Sequence, residues 1–98
     1  RVVIAEDEAI IRLDLRETLE EEGYEVVAET GRGDKVLELV REHRPDLAIL
    51  DIKMPGLDGF EVLRSMRSDP RLSAVPVIML TSKTETEAIF EARNHGIL

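Results

Sequence analysis

Four short apolar runs, separated by segments with helical spacing, restrict this chain to very few folds. The runs are rich in β-branched and aliphatic residues and predict strands at residues 2–5, 25–30, 47–51 and 77–81. Between and after them, apolar residues recur at spacings of three and four, which predicts helices at 8–22, 35–43, 59–67 and 84–96. Strands that are apolar throughout and alternate with amphipathic helices are typical of a parallel sheet covered on both faces.

The predicted fold class is α/β, a doubly wound parallel sheet. Right-handed crossovers restrict the topology, and the flavodoxin-like strand order 2-1-3-4-5 is the common solution at this size. Ile97 and Leu98 look like the first residues of a fifth strand. We therefore expect residues 1–98 to form one domain that is truncated at the start of strand five. A homodimer or a swapped oligomer is one expected way to cover the apolar faces that this leaves.

Composition and charge exclude several classes of function. The 98 residues carry a formal charge of −8, which disfavours binding of this domain to nucleic acid or to an anionic membrane. The absence of cysteine excludes a disulfide framework and a thiolate nucleophile. No apolar run has the length of a membrane span, and no secretory signal pattern opens the sequence. A cytoplasmic protein is the expectation.

The sequence also predicts the apolar positions and the cap of the first helix, and a loop before the second helix. Ile10 and Leu13, and then Ile11, Leu15 and Leu19, repeat at helical spacing, and Asp7 is the predicted cap of this helix. Residues 31–34 are predicted to form a loop.

Polar side chains stand at the ends of three predicted strands: Glu6 and Asp7 after the first, Asp51 at the end of the third, and Thr81 at the end of the fourth. In the predicted order these strands are neighbours, and ligands of such folds bind beyond the carboxyl ends of the strands. Each residue also has a simpler interpretation: Asp7 as a helix cap, Glu6 as a solvated charge, Asp51 as a loop cap and Thr81 as a strand terminus. Their joint position at one edge favours a site.

Clustered carboxylates repel one another unless a cation offsets their charge. Magnesium takes oxygen ligands, commonly a couple of carboxylates and a phosphate oxygen, and manganese is an alternative. The chemistry suggested is phosphoryl transfer onto Asp51, with the Thr81 hydroxyl donating a hydrogen bond to the phosphoryl group.

Three motifs in order carry a family resemblance: Glu6-Asp7, Asp51 within DIKMPGLDG, and Thr81-Ser82 after an apolar run. With them, the whole chain resembles the CheY-like receiver domain of two-component response regulators. The resemblance implies that Asp51 is the phosphoacceptor, supplied by a histidine kinase or a phosphotransfer protein. It implies that Glu6, Asp7, Asp51 and the Lys53 main-chain carbonyl hold magnesium, and that Thr81 is the switch hydroxyl.

The same resemblance implies a signalling domain that assists its own phosphorylation and dephosphorylation, rather than an enzyme, and that switches an output domain or effector. The stretch from Ile4 to Val27 is similar to receivers of ANTAR-type antitermination regulators, whereas the later motifs are more generic, so the output stays open. Receivers place a lysine at the end of strand five, and the sequence stops before it. Arg12 and Arg16 share a helix face beside the site, which the family analogy makes a candidate docking surface for the kinase.

Two other functions remain open. A receiver-like interaction module that works without phosphorylation is one. A magnesium-dependent phosphatase with an aspartyl nucleophile is the other, but that chemistry needs a second aspartate two residues after the nucleophile, where this chain has Lys53.

Overall fold

The computed structural model describes residues 1–80. Its elements are β1 (Val2–Ala5), α1 (Ala9–Glu21), β2 (Val26–Thr30), α2 (Gly33–His43), β3 (Leu47–Asp51), α3 (Gly59–Ser68) and β4 (Val77–Leu80). The predictions for Thr81, for the helix at 84–96 and for the start of a fifth strand lie outside the described residues.

The four strands of the described part form one parallel sheet in the order β2-β1-β3-β4. This confirms the predicted doubly wound topology as far as the described residues extend. The strands β1 and β3 were predicted with the bounds that the structure has. Their register pairs Ala5 with Leu50, so the residues that follow on both strands emerge at the same edge of the sheet.

Side chains alternate between the two faces of the sheet and build two cores. Val3 and Leu50 belong to the face covered by α2 and α3, where Val36, Val40 and Met66 are fully buried. The opposite face holds a smaller buried cluster of Val2, Ile4 and Ile49, against which Leu15 and Leu19 of α1 pack. Because both faces of the sheet are buried against helices, the strands carry few polar residues along their length. The polar side chains lie at the carboxyl ends of the strands.

The helix α1 confirms the predicted helix but not all of its predicted apolar face. Leu15 and Leu19 pack against the sheet, whereas Ile10 is 83% exposed and Leu13 is 53% exposed. At about 100° of rotation per residue, positions 10 and 13 lie on the side of the helix away from Leu15. The spacings of three and four residues therefore grouped apolar residues that do not lie on one face of the helix.

Two predictions at helix starts were wrong. The N-cap residue of α1 is Glu8, without a side-chain cap, so Asp7 does not cap this helix. The helix α2 begins at Gly33, which places Gly33 and Asp34 in its first turn and not in a loop. Its start is defined by a tertiary contact, since the Gly33 N–H donates a hydrogen bond to the Pro55 carbonyl at 3.0 Å.

The helix α3 has a reciprocal cap that the sequence analysis did not single out. The Asp58 carboxylate accepts a hydrogen bond from the Glu61 N–H at 2.8 Å, and the Glu61 carboxylate accepts one from the Asp58 N–H at 3.3 Å. We expect Asp58→Ala to lower the free energy of unfolding by about 1 kcal/mol, because both bonds at the cap are lost or weakened. Urea denaturation measures this, with Glu61→Gln as a control that keeps an acceptor. Equal midpoints for Asp58→Ala and the unmodified protein would contradict it.

Candidate functional site

Three of the predicted site residues meet at the edge of the sheet. Glu6 and Asp7 follow the last residue of β1. Asp51 is the last residue of β3, the strand that pairs with β1 in the sheet. One carboxylate oxygen from each of the three lies within 4.8 Å of the others. The structure thus brings together the acidic residues that were predicted to share a site.

Glu6 is buried, so its interpretation as a solvated charge is wrong. It is 4% exposed, and its carboxylate accepts a hydrogen bond from the Glu8 N–H at 3.0 Å. Burial raises the pKa of Glu6 from 4.5 to about 7, the Glu8 bond opposes this, and the negative charges of Asp51 and Asp7 add to it. A buried carboxylate with acidic neighbours is costly to ionise unless a cation is bound.

Asp51 is half-buried and has a similar environment. Burial is the main cause that raises its pKa from 3.8 to about 6, and the side chain and charge of Asp7 raise it further. Asp7 therefore interacts with both Glu6 and Asp51. The neighbouring charges that raise the pKa values of Glu6 and Asp51 are carboxylates, which is the electrostatic pattern of a cation site.

The loop after Asp51 is tied at its base and at its tip. At the base, the Gly59 N–H donates a hydrogen bond to the Ile52 carbonyl at 2.8 Å. At the tip, the Pro55 carbonyl accepts the bond from Gly33 at the start of α2. Lys53 lies in this loop with an exposed side chain, two residues after Asp51. The other predicted site residue, Thr81, lies outside the described residues.

Glycine is required where this loop meets α2. A methyl group added at Gly33 would overlap the Leu57 carbonyl oxygen and lie 2.6 Å from the carbonyl carbon. Gly56 has a φ of +87°, and a methyl group there would lie 2.5 Å from the Asp34 carboxylate. The two glycines let the loop lie directly on the first turn of α2. The sequence analysis did not predict this contact between the loop after Asp51 and α2.

Arg12 and Arg16 are not free charges on a helix face. Arg16 Nε lies 3.3 Å from one carboxylate oxygen of Glu29, at the end of β2, and Arg12 Nε lies 3.8 Å from the other. The Arg12 guanidinium also donates a hydrogen bond to the Glu6 carbonyl at 2.7 Å. The sequence analysis missed Glu29, because nothing in the spacing of residues 12, 16 and 29 indicates that they meet. Kinase docking on this helix face stays a prediction.

The donor set suits a hard divalent cation. The three converging groups offer oxygen atoms only, which magnesium and manganese accept and which softer metals do not prefer. Their oxygen atoms lie within 4.8 Å of one another, and ligands about 2.1 Å from a shared cation lie at most about 4.2 Å apart, so a small movement of the side chains suffices to bring all three onto one cation. The residues present therefore fit the predicted magnesium site.

Comparison with known proteins identifies the family. Residues 2–98 match the response regulator receiver domain, and the chain belongs to that family. It is 44% identical over 98 residues to the transcriptional regulatory protein PdtaR of Mycobacterium tuberculosis (strain ATCC 25618 / H37Rv), covering 100% of this chain and 46% of that protein. It is 42% identical over 86 residues to the DNA-binding response regulator MtrA of Mycobacterium leprae, covering 88% of this chain and 36% of that protein. The chain thus spans less than half the length of these relatives.

Solved structures give the same result for the fold. The receiver domain of AraT, a response regulator from Geobacillus stearothermophilus, is 37% identical with a TM-score of 0.81, covering 98% of this chain and 74% of that one. The chemotaxis response regulator CheY4 of Vibrio cholerae is 31% identical with a TM-score of 0.83, covering 98% of this chain and 79% of that one. The CheY-like, flavodoxin-like fold expected from the sequence is confirmed.

Membership places the chain in two-component signalling. Receiver domains are signalling domains that work with histidine kinases and with output domains. The predicted resemblance to receiver domains and the predicted role in two-component signalling are confirmed. Within residues 1–80, no helix combines the length and the apolar composition that a membrane crossing needs.

Proposed function

We propose that Asp51 accepts a phosphoryl group from a histidine kinase or phosphotransfer protein, in a magnesium-dependent reaction that switches an output. The observation that carries this is the convergence of Glu6, Asp7 and Asp51 within 4.8 Å at the carboxyl ends of β1 and β3. Asp51 is the only one of the three that belongs to a strand and begins a tethered loop, so its position relative to the sheet is the most fixed.

In the proposed reaction an Asp51 carboxylate oxygen attacks the phosphorus of a phosphohistidine in line with the departing nitrogen. The phosphorus–nitrogen bond breaks, an acyl phosphate forms on Asp51, and the released imidazole of the donor takes up a proton. Glu6, Asp7, the Asp51 carboxylate and the Lys53 carbonyl would hold magnesium. When bound, magnesium supplies positive charge that offsets the negative charge of the phosphoryl oxygens. The Thr81 hydroxyl is proposed to donate a hydrogen bond to one of those oxygens.

The residues of this chain have separate tasks in that scheme. Asp7 interacts with both Glu6 and Asp51 and would bind the same cation as they do. Glu6 is buried, so it would bind the cation from the side of the site that is closed to solvent. The tether of the loop at Gly33 and Gly59 restricts the path of the main chain at Lys53, whose carbonyl would be a ligand.

The output is proposed to be transcriptional regulation. Relatives that match the chain are a transcriptional regulatory protein and a DNA-binding response regulator, and in both the match covers less than half of the protein. The acidic charge of −8 supports a domain that does not itself bind nucleic acid. We keep the cytoplasm as the proposed compartment, because a kinase that uses ATP and magnesium acts where both are supplied.

The proposal predicts an unusual pH dependence without metal. The folded state raises the pKa values of Glu6 and Asp51 above their ordinary 4.5 and 3.8, to about 7 and about 6, so it binds more protons than the unfolded state in this range. Their contribution to the free energy of unfolding is therefore expected to fall as the pH rises from about 4 to about 7. Magnesium should reverse the loss at pH 7 and bind more tightly as the pH rises, because it competes with protons for the same oxygens.

Urea denaturation at a series of pH values, in EDTA and in magnesium, measures both effects. Glu6→Gln is the matched control, because it keeps the shape of the side chain and removes its charge. The variant should lose less stability than the unmodified protein between pH 5 and pH 7 in EDTA, and it should gain less from magnesium. Identical pH profiles for the two proteins, or no stabilisation by magnesium at pH 7, would count against the cation site. Phosphorylation itself is tested by the substitution of Asp51.

A further inference from the structure

Arg12 contacts the main chain at Glu6, one of the three residues whose carboxylates converge. It lies in α1 with its side chain 23% exposed, and its Nη1 donates a hydrogen bond of 2.7 Å to the Glu6 carbonyl oxygen. The N–H of the same residue, Glu6, donates to the Thr30 carbonyl at 3.0 Å. Both main-chain polar groups of Glu6 are therefore occupied by partners away from the carboxylate cluster.

A second contact pairs the Arg12 guanidinium with Glu29. Arg12 Nε lies 3.8 Å from one oxygen of Glu29, while the other oxygen of Glu29 lies 3.3 Å from Arg16 Nε. The guanidinium is planar and rigid, so the hydrogen bond to the Glu6 carbonyl and the ion pair with Glu29 favour the same orientation. Arg16 shares Glu29 with Arg12 but has no contact with Glu6 among the described hydrogen bonds and ion pairs.

The space around Gly31 shows that the turn after β2 packs closely against Arg12. A methyl group added at Gly31 would lie 2.9 Å from Arg12 Nη1 and 3.4 Å from the Asp7 Cα. The turn after β2 therefore passes close to both the guanidinium and the main chain of the site. A side chain at position 31 would push the guanidinium away from the Glu6 carbonyl.

We infer that Arg12 is a positioning residue for the cation site, acting through the peptide between Glu6 and Asp7. By holding the Glu6 carbonyl toward α1, it prevents rotation of this peptide. The peptide joins two of the three converging carboxylates, so its rotation would turn the Glu6 and Asp7 side chains apart. The inference deepens the proposed function and rests on it, because it concerns the same magnesium site.

The test compares magnesium dissociation constants by isothermal titration calorimetry for Arg12→Gln, Arg12→Lys and Arg16→Gln. We expect Arg12→Gln to weaken binding about tenfold, as removal of outer-shell partners of metal ligands does. Arg12→Lys, which can still donate to the Glu6 carbonyl, should restore most of the affinity. Arg16→Gln should stay within about twofold of the unmodified protein, because it loses the same kind of ion pair with Glu29 and no contact with Glu6.

Urea midpoints separate positioning from general stability. If Arg12 only stabilised the fold, Arg12→Gln and Arg16→Gln would bind magnesium equally well once both are folded, and that result would overturn the inference. If Arg12→Gln does not fold, Gly31→Ala takes its place, since it displaces the guanidinium with every charge retained. Unchanged magnesium affinity in a folded Gly31→Ala variant would equally overturn it. Failure of the unmodified protein to bind magnesium would instead refute the proposed function.

Discussion

Asp51→Asn is expected to abolish incorporation of phosphate, by at least ~10³-fold, as removal of other covalent nucleophiles does. The amide oxygen carries no negative charge and cannot form an acyl phosphate in place of the carboxylate. The measurement is incubation of the protein with a labelled phosphohistidine donor or a small phosphodonor in magnesium, followed by counting of the protein-bound label. The variant should fold at least as stably as the unmodified protein at pH 7, because a half-buried carboxylate with a raised pKa is replaced by a neutral group.

Asp58→Asn provides a matched control for this experiment. It makes the same chemical change seven residues later in the same segment, and asparagine still accepts the hydrogen bond that Asp58 accepts from the Glu61 N–H. It should incorporate label as the unmodified protein does. Full labelling of Asp51→Asn would refute Asp51 as the acceptor.

The same variants separate the alternative functions. If Asp51→Asn still binds its partner and still switches the output, the interaction module that works without phosphorylation becomes the better explanation. Turnover of a phosphomonoester by the unmodified protein would favour the phosphatase.

Gly33→Ala is expected to lower the free energy of unfolding by about 3 kcal/mol, near the upper end for overpacked sites. Its methyl group would overlap the main chain at Leu57, which cannot rotate away as a flexible side chain could. Relief requires that the loop after Asp51 leave α2, and the hydrogen bond from the Gly33 N–H to the Pro55 carbonyl is then lost. Urea denaturation measures the stability change.

The displacement should also weaken magnesium binding, because the loop carries the Lys53 carbonyl. Calorimetric titration of the folded variant measures this. Gly23→Ala is the control: its φ is +91°, but an added methyl group has no atom within 4 Å. That variant has only the backbone strain, about 1 kcal/mol, and its magnesium affinity should not change. Equal effects of the two substitutions on magnesium binding would show that the contact between the loop and α2 does not support the site.

Local patterns predicted most of the secondary structure and the acidic part of the site. The strands 2–5 and 47–51 were predicted with the observed bounds, because a short apolar run that ends in a carboxylate has a sharp limit in the sequence. The convergence of Glu6, Asp7 and Asp51 followed from the parallel order of those strands. The start of α2 and the inner face of α1 were predicted less well, since tertiary contacts decide them: the loop at Pro55 fixes Gly33, and the sheet selects Leu15 and Leu19.

The sequence by itself therefore determined the order of the elements and the edge of the sheet at which the carboxylates lie. Hydrophobic periodicity and strand-end position are local properties that survive in any compact arrangement of these elements. Only the tertiary structure decided that Glu6 is buried and that Arg12 donates a hydrogen bond to the Glu6 carbonyl. It also decided that the loop after Asp51 packs on Gly33 and accepts a hydrogen bond from it. These contacts join residues that are distant in the chain or chemically unremarkable, and they exist only because the packed sheet and helices bring their atoms within hydrogen-bond or van der Waals distance.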